Sequence, residues 1–408
     1  MDPTNKSYQA APTSPSAPRS LPVRLVTSAP PTSPAFPATP VETSPAVPAT
    51  PVETPPLPED GFVGWDAEAD LIIAICEYNV EGDWELHRNL VELSVGGSSQ
   101  CTISIPGRGL SARHCLLDRR KRRLLLRDLD SSHGTFVRGR RLEGPADLSP
   151  GDTFTARPMT FVCLNNEMRQ HRPTLFEILG PCAPRPPDWV MVQAATDTGP
   201  LLLTGEAGCD LDRLARAIHA MSLWRNQKLV EVAVVPPDRA AQVALVQHAS
   251  RTSLILPLGD DVAPLDPQFA SMLFDLSSRV RLIALASSPD IARRAFTDAR
   301  VWRMQHVEVR PLAYRGGEIN RLLDRRFTEC AFPRRAADLT RANQDALKRY
   351  DWPGNFDELS EVADAIVAHT TLGGLRPAAE SLGMASHKKL ARRFERVGLG
   401  FPLFDSDE

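Results

Sequence analysis

Residues 201–219 read LLLTGEAGCDLDRLARAIH, and the reading of this stretch decides the fold of the second half of the chain. A short apolar run enters a Gly-rich turn, and the turn opens an amphipathic helix. A strand–turn–helix of this kind presents backbone N–H groups at a helix start, where a phosphate group binds. The position at which such a loop carries its lysine is nevertheless Leu211, and the next is Asp212. The stretch has the framework of a phosphate-binding loop without its cation.

The rest of the 408 residues leaves room for two or three domains. Hydrophobic residues at 42% and charged residues at 24% are ordinary for a globular protein. With a net charge of −3, any basic surface has to be local. The 7 cysteines form no CxxC pair, so neither a disulfide framework nor a zinc site is expected, and no metal or cofactor is assigned. No apolar run approaches the roughly 20 residues of a membrane helix. The first residues, MDPTNKSYQA, lack the basic-then-apolar order of a signal peptide, so a cytoplasmic protein without membrane contact is expected.

Composition divides the chain. Residues 1–60 hold 16 of the 37 prolines among Ser, Thr and Ala, and read as a disordered tail. PATPVET occurs there twice, at 37–43 and 48–54. It reads either as a duplicated spacer or as two kinase sites, Thr39 and Thr50, each gaining a charge of about −2 on phosphorylation. From 69 to 165, short β-branched and aliphatic runs punctuated by Gly, Asp, Ser and Pro predict an all-β sandwich. From 173 to 332, strand-like runs alternate with helical patterns, which predicts an α/β core with a parallel sheet. Residues 333–371 read as a helical lid broken at Pro353-Gly354, and 372–408 as two short helices around Gly383 with a brief tail.

In the sandwich region, SVGGSSQCTISI (94–105), LSARHCLL (110–117) and RDLDSSHGTFVRGR (127–140) resemble, in order and spacing, the forkhead-associated (FHA) domain. The resemblance implies a reader of phosphothreonine peptides on loops at one end of the sandwich. It places Ser111 at the phosphate-binding serine, His114 at the loop-bracing histidine, and Gly134 and Thr135 at the Gly-Thr that shapes the peptide loop. Two positions depart from the pattern: the phosphate-binding arginine is Gly97 and the asparagine that grips the peptide is His133. Loss of the arginine removes a bidentate, charge-assisted contact. Arg108 and Arg113, in the same predicted loop, are candidates to replace its charge. The run RRKRR at 119–123 reads as a nucleic-acid patch or as a solvated hairpin tip.

Residues 201–219 in turn resemble the AAA+ domain of the bacterial enhancer-binding (NtrC-like) activators, whose loop reads GESGTGKE. TSLILPLGDDVAPLDPQFASMLFDL (252–276), VRLIALASSPD (280–290), VEVRPLAYRGGEINRLLDRRF (307–327) and RYDWPGNFDEL (349–359) continue that resemblance in order. Gly205 and Gly208 are kept, but the third glycine is Asp210 and the lysine is Leu211. The Walker B Asp-Glu pair falls at Pro257 and Leu258, with Asp260 and Asp261 three residues on. The lid arginine is Asp357, and another expected arginine is Thr297, near Arg300. The loop carrying GAFTGA, which contacts the sigma-54 form of RNA polymerase, is missing. Together these departures remove what stabilises phosphoryl transfer, so a scaffold without enzymatic activity is expected.

RPAAESLGMASHKKLARRFERVGL (376–399) resembles the Fis-type helix-turn-helix of the same activators. Ala378, Ala379, Leu382, Leu390 and Phe394 fall on one buried face, and Pro377 is tolerated in a first helical turn. The second helix presents His387, Lys388, Lys389, Arg392, Arg393 and Arg396 as candidate DNA contacts. The whole is read as a multidomain chain: an FHA sandwich, a degenerate α/β AAA+ core with helical lid, and an all-α helix-turn-helix. Two functions follow. One is a non-catalytic transcription regulator that binds DNA, receives a phosphothreonine-protein or Ser/Thr-kinase signal, and forms a homo-dimer or a hetero-oligomer with a related activator. The alternative is a phosphothreonine-dependent signalling adaptor that does not bind DNA.

Overall fold

The computed structural model describes residues 71–87, 91–120 and 123–405. The proline-rich segment, with Thr39 and Thr50, lies outside them. The first part is built of short strands: β1 (Ala74–Glu77), β2 (Trp84–Glu85), β3 (Glu92–Gly96), β4 (Ile103–Ser104), β5 (Cys115–Arg120), β6 (Arg123–Asp128), β7 (Thr135–Val137), β8 (Arg140–Arg141), β9 (Ala146–Leu148), β10 (Thr153–Ala156) and β11 (Met159–Leu164). They form two sheets, ordered β2-β1-β11-β10-β7-β8 and β4-β3-β5-β6-β9. Alternation along the strands buries one face of each: in β6, Leu124 and Leu126 are buried while Arg123 and Arg127 are exposed. Phe154 and Phe161 stack at 4.9 Å in the core between the sheets. In the basic run, Arg119 is buried and donates to the Ile72 carbonyl, and Arg120 and Arg123 pair with Asp118 and Asp147. Arg120 faces Arg123 across the hairpin, so these residues belong to a strand end rather than to a nucleic-acid patch; Lys121 and Arg122 lie outside the described residues.

Two helices follow, α1 (Asn166–Leu179) and α2 (Pro187–Thr196), and then alternating elements: β12 (Leu201–Thr204), α3 (Leu211–Ala220), β13 (Val230–Glu231), α4 (Arg239–His248), β14 (Thr252–Pro257), α5 (Pro267–Leu273), β15 (Val280–Ala286), α6 (Pro289–Ala295), α7 (Asp298–Val301) and β16 (Gln305–Glu308). The five strands are parallel, in the order β13-β14-β15-β12-β16. Their near-continuous apolar runs reflect burial on both faces. The first strand in sequence is interior, so the turn after it opens at the middle of the sheet's carboxyl edge, where ligands of such sheets bind. The sequence boundary at Pro173 is displaced: Pro173 sits inside α1, which starts where the Asn165 side chain accepts the Met168 N–H at 2.9 Å.

The last part is helical: α8 (Ile319–Glu329), α9 (Arg341–Arg349), α10 (Asn355–Leu372), α11 (Leu375–Ser381) and α12 (His387–Val397). Trp352, Phe356 and Leu359 share one apolar cluster with Ala378, Leu390, Phe394 and Phe404. The expected boundary at 371–372 therefore divides no core: the two C-terminal helices complete the core of the helices before them. Among the described residues no helix is long and apolar enough to cross a membrane.

The sandwich and the α/β part are joined in the same way. Ala74, Cys76, Val162 and Leu164 of the sandwich share a cluster with Met168, Leu175, Met191 and Leu203. At this joint Arg172 of α1 makes a two-pronged ion pair with Asp188 of α2, at 2.7 and 2.9 Å, with side chains 6% and 0% exposed. Its remaining N–H groups donate to the carbonyls of Glu77, Val80 and Gly82, and Asp188 accepts the Asn79 N–H. Removing one partner leaves a buried charge unpaired. Arg172→Ala is therefore expected to cost ~3–5 kcal/mol, read as a fall in the urea midpoint of unfolding. Exposed Arg341→Ala, whose partner Asp345 lies one helical turn away, is expected to cost under ~1 kcal/mol.

Candidate functional site

Three places carry the chemistry that the sequence points to. The first is the turn after β12. Gly208 has φ +76°, and a Cβ there would lie 2.2 Å from the Gly354 carbonyl oxygen. The turn is thus docked against the Trp352–Phe356 segment. The Phe356 N–H donates to the Gly208 carbonyl at 2.9 Å, and the buried Asn355 amide donates to the Ala207 carbonyl at 3.0 Å. The Asn355 side-chain oxygen in turn accepts the Leu312 N–H at 2.9 Å. Beside this contact lies a cleft of about 430 Å³. Its walls include Glu206, Asp210, Asp212, Asp260 and Asp357, together with Pro257 and Leu258, and no Lys or Arg.

Asp210 takes a left-handed conformation, φ 56°, at the N-terminal cap of α3, and Asp212 lies in the first turn. Both carboxylates stand where the helix dipole would otherwise meet a phosphate. Burial raises the pKa of Asp210 above the usual 3.8, against the pull of Arg213 3.3 Å away. Arg213 is itself held by Glu177 at 2.7 Å. Asp260 accepts from the Ser287 hydroxyl at 2.6 Å, and Arg300 donates to the Ser271 hydroxyl at 2.7 Å. Among the described residues no cluster of His, Cys, Asp and Glu is arranged to hold a metal ion.

The second place is the rim of the sandwich. The Ser111 hydroxyl accepts the Ser132 N–H at 3.0 Å and lies 3.3 Å from the Ser132 hydroxyl, so it links the two loops that carry LSARH and SSHGT. His114 is fully buried below, with Nδ1 accepting the Ser111 N–H at 3.3 Å and Nε2 3.4 Å from the Gly134 carbonyl. Burial keeps its pKa low although the Gly134 carbonyl opposes this. The Thr135 hydroxyl is turned inward to Asp128, which also accepts from the Ser131 N–H and hydroxyl. Burial opposes the Asp128 charge, but these hydrogen bonds hold its carboxyl below the ordinary range.

Gly97 lies against the loop: its N–H donates to the Ser111 carbonyl at 2.9 Å, and a Cβ would stand 3.1 Å from the Leu110 oxygen. Of the two candidate replacement charges, Arg108 is drawn into an ion pair with Glu77. Arg113 is exposed, as is His133, and has no ion pair among the described residues. Sequence reasoning missed Ser132 and Arg141. The Arg141 Nε would lie 2.8 Å from a Cβ on Gly134, so its side chain lies against the peptide loop. Ser132 was visible in SSHGT, but only the loop geometry shows which serine meets Ser111.

The third place is α12. Leu390, Phe394 and Val397 are buried, and Gly383, φ +66°, turns the chain between α11 and α12. The six basic candidates divide. Arg393 pairs with Glu361 at 2.6 Å, and Arg396 with the buried Glu358 at 2.7 Å, both on α10. His387, Lys388, Lys389 and Arg392 are exposed and make no ion pair among the described residues. Lys389, Arg392, Arg393 and Arg396 line a shallow hollow of about 290 Å³.

Comparison with known proteins agrees with parts of this picture. Residues 93–156 match the FHA domain family, so the chain carries an FHA domain. The nitric oxide reductase transcription regulator NorR1 of Cupriavidus necator is 28% identical over 211 residues, 42% of this chain and 40% of that protein. The matched region is thus well under half the length of that relative. Among solved structures, NtrX from Brucella abortus in complex with ATP is similar at 19% identity, over 57% of this chain and 68% of that one, with a TM-score of 0.34. Mycobacterium tuberculosis EmbR in complex with a low-affinity phosphopeptide is similar at 17% identity, over 22% and 24% of the two chains, with a TM-score of 0.21.

The cleft yields a pH prediction. A carboxyl whose folded pKa is raised binds its proton more tightly in the folded state, so its charge costs stability once the pH exceeds that raised value. Asp210→Asn, which keeps a residue tolerant of positive φ, is expected to stabilise the protein at pH 7. The gain should shrink as the pH falls towards 3.8, measured by urea denaturation across that range.

Proposed function

We propose that this protein is a non-catalytic transcription regulator that binds DNA through α12 and takes its signal through the FHA domain. The observation that carries the reading is the exposed, unpaired cationic face of His387, Lys388, Lys389 and Arg392 on a chain of net charge −3. Such a face, led by the N-terminal residues of the second helix of a helix-turn-helix, fits the major groove. Arg393 and Arg396 have a different task here, fastening α12 to α10. The similarity to a transcription regulator supports the same direction. On this reading the unit resembles the Fis type and works as a dimer on two half-sites.

The α/β core serves as a scaffold rather than a motor. Its cleft offers phosphates five carboxylates and no cation, the reverse of what phosphoryl transfer needs. The FHA domain receives a phosphothreonine protein at the Ser111 rim, with Arg113 and Arg141 supplying charge in place of the arginine missing at Gly97.

Gel shifts with genomic fragments test the first part. The triple variant Lys388→Ala/Lys389→Ala/Arg392→Ala should bind far more weakly, and the slope of log K against log salt should fall by about 1 for each phosphate that is no longer neutralised. Millimolar Mg-ATP should leave every curve in place. Unchanged binding by the triple variant would remove α12 from DNA recognition and favour an adaptor. For the FHA rim, Gly97→Arg adds a side chain at a position without positive φ, requires the Leu110 carbonyl to give by a few tenths of an ångström, and supplies a charge-assisted contact. It should tighten phosphothreonine-peptide binding by about tenfold, and Ser111→Ala should weaken it in both backgrounds. Equal affinities by calorimetry would contradict the assigned rim.

A further inference from the structure

The outer face of the six-stranded sheet is only half covered. On β1 and β11, Ala74, Cys76, Val162 and Leu164 pack against the α/β part. On β10, β7 and β8 the same face is open. In β7, Thr135 and Val137 are buried and Phe136 between them points the other way. Arg141 of β8 and Thr155 of β10 lie directly opposite Phe136, and residues so paired share a face. The Thr155 hydroxyl stands 3.1 Å from that of Thr160, two residues before the covered Val162.

Two guanidinium groups converge on this open half. That of Arg157 lies 4.8 Å from the centre of the Phe136 ring. Ala156 pairs with Thr135, so Arg157 follows it level with Gly134, at the rim. Arg141 reaches Gly134 from the other side, where its Nε would stand 2.8 Å from a Cβ. Pro158 in turn packs on Gly109, in the loop that leads to Ser111, 3.4 Å from the place of a Cβ. Arg141 and Arg157 are exposed and have no ion pair among the described residues. Their neighbours Arg108 and Arg138, by contrast, are held by Glu77 and Asp152. Two like charges beside one ring, with no carboxylate committed to either, favour an anion between them.

We propose that Arg141 and Arg157 form a second anion-binding position on the FHA rim, which takes a phosphate or carboxylate of the same peptide whose phosphothreonine lies at Ser111. The partner is then a phosphothreonine protein with a further phosphorylated or acidic residue close by in its chain. This rests on the reading of the rim as a phosphothreonine site, and Arg141 is shared by the two positions. One ring between two guanidinium groups has the footprint of a single anionic side chain rather than of a nucleic-acid backbone.

Calorimetry on the full chain tests this with alanine peptides that carry one phosphothreonine and, two, four or six residues to either side, a serine, a glutamate or a phosphoserine. At one spacing or more, phosphoserine should bind about tenfold tighter than serine, and glutamate should fall between them. Arg157→Gln should remove that gain and leave the singly phosphorylated peptide within about twofold. Ser111→Ala should weaken every phosphorylated peptide. On the unmodified chain, the second phosphate should slow amide hydrogen exchange further at 134–142 and 155–160, a readout that needs no variant. No gain at any spacing, or a gain that survives in folded Arg157→Gln, would overturn the second position and leave the Ser111 reading standing. Peptide binding indifferent to Ser111→Ala, or absent altogether, would overturn that reading and this proposal with it. A fall in DNA affinity on Arg157→Gln with peptide binding unchanged would assign the pair to DNA and equally overturn the proposal.

Discussion

A guanidinium and a carboxylate almost wholly removed from water, Arg172 and Asp188, fix the relation between the two halves of the molecule. Two charges are buried at a price that only their mutual attraction and the surrounding hydrogen bonds can offset. Arg172 satisfies its remaining donors on three carbonyls of the β1–β2 connection. The sandwich is thereby held by a helix belonging to the α/β part, and the shared apolar cluster closes around the contact. A second buried arginine repeats the device at the other end of α1. Arg315 donates to the Ile178 and Glu177 carbonyls, which ties the helical region to the end of the same helix. Helix α1 is thus the beam to which the FHA sandwich and the helical region are both fastened.

From the helical region a continuous set of contacts runs to the basic helix. Glu358 accepts from the Gly354 N–H at 3.0 Å, from the Tyr350 hydroxyl at 2.9 Å and from Arg396 at 2.7 Å. Gly354 is the residue against which Gly208 of the β12–α3 turn is packed. One carboxylate therefore links the segment that packs on the β12–α3 turn to α12. Gly208 has no room for a side chain, which would strike the Gly354 backbone carbonyl. The cleft beside this contact counts Glu206, Asp210, Asp212, Asp260 and Asp357 among its walls, and no Lys or Arg.

Much of the fold was legible because periodicity reports burial. The parallel strands β12, β14 and β15 are apolar throughout, and the sandwich strands alternate. The shortest strands, β2, β8 and β9, carry too few residues for any period to show. Helix α1 was obscured by Pro173, a residue that normally ends a helix; here flanking tertiary contacts, with Arg325 donating to the Pro173 carbonyl, hold the helix together. Domain edges were the least readable feature, since a core shared between two regions leaves no compositional mark. At the sites, residue types were visible but their availability was not. Arg108, Arg393 and Arg396 look alike in sequence to Arg113 and Arg392, and only the positions of Glu77, Glu361 and Glu358 separate the paired from the unpaired. Ser132 lies inside a quoted motif and Arg141 just beyond it, and the contacts of both emerge only from three-dimensional neighbours.

The central claim is that an unpowered scaffold presents α12 to DNA, and chromatin immunoprecipitation with sequencing tests it most directly. The tagged protein in its native host is compared with the Lys388→Ala/Lys389→Ala/Arg392→Ala variant, which spares the core that removal of α11 and α12 would open. The account predicts discrete genomic peaks sharing a two-fold-symmetric sequence, lost in the variant at equal protein level. Absence of peaks from both proteins, or peaks that persist in the variant, would contradict it.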